Sequence, residues 1–166
     1  MKRAAFLFVL TLCAFAISGD AAAKKTSTIR ATGGMNISNT GLAVDAGYDK
    51  RLDGFVPGYK VINVALFNQS LNIIGLDPEK DRWSIKLEGD GKTHPAIHDL
   101  RGQDPKAWSQ VPEKARTLVA YPLVLAIGAR EVVDIFVPES LDLDRFTELD
   151  IYLKSMDTKL EILVRQ

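Results

Sequence analysis

The chain has 166 residues, 25% of them charged, and its 21 Lys and Arg are balanced by 21 Asp and Glu. No long block of one sign interrupts that balance, so the chain lacks the basic face with which proteins displace counterions from nucleic acid. Nucleic acid is therefore excluded as a partner, and so is an anionic membrane surface held by charge alone.

Residues 1–23 read as a signal peptide. Lys2 and Arg3 form a basic head, residues 4–17 run without charge, and Ala21, Ala22 and Ala23 supply small residues for cleavage after Ala23. The apolar run is shorter than the roughly 20 residues a spanning helix needs. Cys13 lies inside it, preceded by Leu12 rather than a small residue, so a lipoprotein anchored through Cys13 is the alternative. After cleavage no cysteine remains, and neither a disulfide nor a thiol nucleophile is available. Losing Lys2, Arg3 and Asp20 takes the 21 and 21 charges to 19 basic and 20 acidic, a net charge near −1. The expected location is the periplasm or the medium, with no transmembrane segment after cleavage.

Residues 24–40 are small and polar and read as a flexible lead-in or one edge strand. A single domain is expected over residues 41–166. Leu42 to Ala46 reads as a short strand and residues 49–57 as a loop. Residues 58–70, GYKVINVALFNQS, are apolar on both parities and rich in β-branched residues, as in a central strand. Trp83, Ile85 and Leu87 alternate with Ser84, Lys86 and Glu88, and Asp90-Gly91 supplies a tight hairpin turn. The return strand through Thr93 and Ile97 carries Pro95, which favours an edge.

Residues 100–114 read as a long irregular loop with one helical turn at KAWSQ, and as the segment best placed to meet a partner. Residues 117–125 read as a strand interrupted by Pro122. Val133, Ile135 and Val137 form one face of the next strand. Leu149, Ile151 and Leu153 point inward in the one after, with Asp150 and Tyr152 outward. Leu160, Ile162 and Val164 close the chain. Roughly eight or nine short strands without a sustained helical period suit two packed antiparallel sheets.

The segments YKVINVALFNQS, RWSIKLEGDGKTHPA and YPLVLAIGAREVVDIFVPES resemble a family of secreted bacterial domains with an immunoglobulin-like β-sandwich. Asn68-Gln69-Ser70, Asp90-Gly91-Lys92, Leu125-Ala126-Ile127-Gly128 and Val137-Pro138 match its strand ends and turns over about residues 58–140. The resemblance implies an all-β, immunoglobulin-like antiparallel sandwich acting as an extracytoplasmic interaction module, not an enzyme.

Candidate chemistry is sparse. His94, His98 and Asp99 offer metal-ligand atoms for a copper or zinc carrier, but on a strand the two histidines stand roughly 13 Å apart at about 3.3 Å per residue. Met35 and Met156 survive processing as thioethers, which copper(I) favours. No Gly-x-Ser-x-Gly elbow appears, and no glycine-rich loop opens a helix. Asn36-Ile37-Ser38 and Asn68-Gln69-Ser70 match the glycosylation triplet and read as turn chemistry. Trp108, Tyr48 and Phe55 lie outside the expected strands, as anchors for a partner or lids over the end of the sheets. No cofactor is expected. The partner implied is a protein or another envelope component.

Overall fold

The computed structural model describes residues 26–31 and 40–165. The basic head, the apolar run, Cys13, the Ala23 site, Met35 and the Asn36 triplet lie outside them.

The described residues are mostly β-strand. The strands are β1 (Thr26–Ala31), β2 (Leu42–Tyr48), β3 (Tyr59–Asn68), β4 (Ile74–Gly75), β5 (Arg82–Leu87), β6 (Thr93–Ala96), β7 (Val124–Leu125), β8 (Arg130–Pro138), β9 (Phe146–Leu153) and β10 (Thr158–Arg165). They form a five-stranded sheet in the order β1-β10-β9-β5-β6, a three-stranded sheet β2-β3-β8 and a short ribbon β4-β7. Every pairing is antiparallel.

Strand β3 is apolar on both faces because it is central. Ile62, Val64 and Leu66 face the larger sheet, while Val61 faces the opposite side, and all four are buried. In the larger sheet Trp83, Ile85 and Leu87 of β5 share their face with Leu149, Ile151 and Leu153 of β9 and Leu160, Ile162 and Val164 of β10. The inner faces of both sheets meet in one buried cluster. Each of these side chains adds on the order of 1.5–3 kcal/mol by leaving water.

The edges follow from backbone chemistry. Pro95 lacks an N–H, and β6 is indeed the last strand of its sheet. One residue beyond it, Ile97 exchanges backbone hydrogen bonds with Phe136 of β8, at 2.9 and 2.7 Å. That bridge ties the edge of the larger sheet to the smaller one. At the other edge β1 pairs with β10, from Thr26 opposite Arg165 to Ala31 opposite Leu160. Thr26–Ala31 is thus an edge strand.

Three expectations are corrected. Residues 100–114 are not an irregular loop but hold two short helices and the first half of a third: α1 (Leu100–Gln103), α2 (Pro105–Gln110) and α3 (Glu113–Arg116). The Asp99 carboxylate accepts from the Gly102 N–H at 3.2 Å, and Asp104 accepts from the Ala107 N–H at 3.0 Å, so each caps a helix start. Leu100, Ala107 and Val111 pack with Val56 and Val119 against Val61 and Phe136, on the outer face of β3 and β8. The segment is a third layer of the fold. The strand expected over residues 117–125 shrinks to β7, because Val119 and Tyr121 bury their side chains from irregular backbone. Asp150 does point away from the core, but it is only 5% exposed, for reasons given below.

Candidate functional site

The two histidines differ in their surroundings. His94 stands in β6 opposite Ile85, and its Nε2 lies 2.6 Å from the Asp90 carboxylate of the hairpin turn. That bond is the leading reason Asp90 sits below the usual carboxylate range. His98 has quite different surroundings. It is 1% exposed, its ring lies 6.0 Å from Trp83 in a stacked arrangement and 4.8 Å from Tyr121 edge-on, and its Nε2 donates to the Pro78 carbonyl at 3.1 Å. Burial holds the imidazole below its ordinary pKa, against the pull of the Pro78 carbonyl, Asp81 and Asp99. Asp99 is engaged in capping α1. The three groups read as metal candidates therefore have three separate duties. Met156 lies half-buried against the core.

Around His98 the fold assembles a group that no sequence motif signals. Asp81 is fully buried. One carboxylate oxygen accepts from the Tyr121 hydroxyl and the Asp77 N–H, each at 2.8 Å; the other accepts from the Lys154 N–H at 2.8 Å. Asp81 thus ties together its own turn, the segment before β7 and the β9–β10 turn. Burial, then Asp81, pushes the Tyr121 phenol well above its ordinary value. An acid, a hydroxyl and an imidazole do meet here. They meet inside the protein, with Asp81 and His98 at most 1% exposed and the Tyr121 hydroxyl spent on Asp81, so this geometry works as an internal joint.

Two of the three aromatic candidates, Tyr48 and Trp108, pack inward. Tyr48 is the last residue of β2, not a loop residue; it packs on the main core, and its hydroxyl donates to Asp53 at 2.8 Å. Trp108 packs half-buried on the outer cluster, with the Arg116 guanidinium 5.9 Å from its ring centre. Phe55 remains exposed in its turn. In the same layer the Tyr59 hydroxyl donates to Asp104 at 2.7 Å; that bond, then burial, pushes the phenol up to about 12.

On the outer face of the larger sheet, Glu148, Asp150 and Glu161 offer carboxylate oxygens within 4.8 Å of one another. Two ammonium groups already stand among them. Lys86 Nζ lies 2.5 Å from Glu148 and 3.6 Å from Asp150, and Lys159 Nζ lies 3.2 Å from both Asp150 and Glu161. The arrangement is a ladder of ion pairs across β5, β9 and β10, and the lysine stems bury Asp150.

Several large apolar side chains stay in solvent. Segment 70–76 and segment 122–128 run side by side at one end of the molecule. Ile74 pairs with Leu125 and Gly75 with Val124, and the Leu76 N–H donates to Leu123 O at 2.9 Å. Buried Asn68 stitches the two together: its Nδ2 donates to Asn72 O at 2.8 Å and Leu125 O at 3.0 Å, its Oδ1 accepts from Ser70, and its carbonyl accepts from the Gly128 N–H at 2.9 Å. Gly128 makes the turn with φ of +71°, in the left-handed region. Gly41 lets the neighbouring chain close in, since a Cβ there would stand 2.5 Å from that of Ser70.

The ribbon turns Ile74 and Leu125 into the core and leaves Leu71, Ile73, Leu123, Val124 and Ile127 in solvent. At its foot lies a cavity of about 330 Å³ between Thr40, Ser70, Ile73, Met156 and Thr158. Reading by periodicity misses this tip because apolar runs are counted toward the core. The available signal is the absence of charge over residues 61–76 and again over residues 117–129, in a chain that is 25% charged.

No helix among the described residues is long and apolar enough to cross a membrane. No protein-family model, no curated protein and no solved structure matches the chain.

Proposed function

We propose that the chain is an exported, immunoglobulin-like β-sandwich that works by contact rather than catalysis, as a binding or structural module of the envelope or extracellular space. The observation that carries this reading is the aliphatic tip. Polar groups with catalytic potential, Asp81, Tyr121 and His98, are consumed in holding loops together, whereas Leu71, Ile73, Leu123, Val124 and Ile127 stay in water. Exposed aliphatic patches of this kind mark surfaces that meet something else. Export is supported by the order of basic head, apolar run and small residues before Lys24. The immunoglobulin-like assignment is supported by two antiparallel sheets sharing one core.

The test has two parts. Mass spectrometry of the chain recovered outside the cytoplasm is expected to give Lys24 as its first residue. A benzophenone side chain placed at Ile73 in the exporting cell is expected to yield a covalent adduct on irradiation. The same group at exposed Glu79 serves as the control. Absence of any adduct at position 73 removes the contact reading.

A further inference from the structure

Resting on that reading of the tip as a contact surface, we infer that its partner is a second copy of this chain, joined tip to tip about a two-fold axis. Leu71, Ile73, Leu123, Val124 and Ile127 are 89%, 65%, 63%, 53% and 56% exposed. At roughly 170 Å² for a fully exposed aliphatic residue, they present about 550 Å², the upper end of the range for the largest patch on a monomer. Set against its own image, such a face buries about 1,100 Å² in total, just past the roughly 1,000 Å² that a specific interface needs. Of the eight large hydrophobic residues exposed among the described residues, these five share one end of the molecule.

A two-fold interface sets a patch against its own image, so any charge on it meets a like charge unless an opposite one is placed to match. The tip is free of that cost, because neither residues 61–76 nor residues 117–129 hold an ionisable acid or base of the Asp, Glu, Lys or Arg type. Long-range repulsion between copies is also slight, with 21 basic and 21 acidic residues in the chain. A membrane surface is favoured less. Interfacial proteins flank their apolar insertion with free cations that meet anionic headgroups. Here Lys80 is paired with Asp77 at 2.9 Å and Arg130 lies over the Phe67 ring at 5.4 Å, and exposed Lys154, next to the Ser155 that donates to Gly75 O, is a single cation rather than the basic cluster that anionic headgroups call for.

The geometry also fits docking by rigid surfaces. The two segments are held by hydrogen bonds to Asn68 and by the β4–β7 ladder, so little backbone freedom is lost when a partner arrives.

Sedimentation equilibrium on the purified full-length protein, as its host processes it, reads the mass directly. The wild type is expected to reach twice the chain mass by concentrations on the order of 10 μM. Ile73→Asp and Val124→Asp each place two like charges at the axis, one from each copy, and are expected to weaken association on the order of 100-fold. Both positions are exposed, and an unchanged melting temperature would show that each variant folds. Co-sedimentation with phosphatidylglycerol vesicles and with phosphatidylcholine vesicles is run on the same samples. A wild type that stays monomeric to on the order of 100 μM overturns the inference, as does a dimer that persists in both variants. Wild-type monomer bound to vesicles and released by the same substitutions overturns it in favour of lipid. If the Ile73 adduct in the cell forms only with other proteins while the purified chain is monomeric, the self-pairing falls and the contact reading stands.

Discussion

Replacing Asp81 should expose how much of the fold hangs on one carboxylate. Three donors converge on it: the Tyr121 hydroxyl, the Asp77 N–H and the Lys154 N–H, each at 2.8 Å. Hydrogen bonds to a charged acceptor are worth about 1.5–3 kcal/mol each, and a donor left buried without a partner carries its own cost. In Asp81→Asn the better amide orientation keeps the Tyr121 and Asp77 bonds and turns the NH₂ toward the Lys154 N–H. One bond is lost, two donors face each other, and the other two bonds lose their charge assistance, for a total of about 3 kcal/mol. Asp81→Ala loses all three bonds, for about 5 kcal/mol. With a urea slope of about 2 kcal/mol per molar, the midpoint should fall by about 1.5 M for Asn and about 2.5 M for Ala. Tryptophan fluorescence follows the transition, since Trp83 lies in the same group. Adding Tyr121→Phe to Asp81→Ala should cost less than the two single changes combined. An Ala variant within about 1 kcal/mol of the wild type would refute the internal-joint reasoning.

Three further outcomes follow from the same structure. Burial lowers the His98 pKa in the folded chain, so the unfolded chain binds more protons in acid. Stability should therefore be full above about pH 6.5 and fall below it, by at most about 1.4 kcal/mol per pH unit, and His98→Phe should flatten that slope in melts between pH 7.5 and pH 5.5. Asn68→Asp points an oxygen at the carbonyls of Asn72 and Leu125, so it should destabilise more than Asn68→Ala at pH 7, and less so in acid, by urea titration. Leu100→Ala empties a fully buried site under the helical layer and should cost about 2–4 kcal/mol, whereas replacing an exposed loop residue would leave stability unchanged.

The strands were legible wherever one side chain in two meets the core. Trp83, Ile85 and Leu87, or Leu149, Ile151 and Leu153, announce their face in the sequence, and β3 announces its central place by lacking a polar face. The helical layer was not legible. Its three helices are four to six residues long and bury Leu100 and Ala107 with Val111 at the end, too few positions to show a period of 3.6. Its clearest signs are the aspartates, Asp99 and Asp104, at the helix starts. The Asp81 joint was invisible because its partners come from 40 and 73 positions away. The tip is not legible as an exposed surface because hydrophobicity alone does not say which apolar residues find a neighbour. Leu125 does, and Val124 beside it does not.

The pairing of β1 with β10 has a consequence for when this protein can finish folding. Thr26 meets Arg165, partners 139 positions apart (165 minus 26), so β1 has no strand to hydrogen-bond with until the ribosome has delivered β10. Contacts so distant form late and slowly. That delay keeps the outermost seam of the larger sheet open until β10 has been made, so β1 is the strand that closes the sheet rather than one that seeds it.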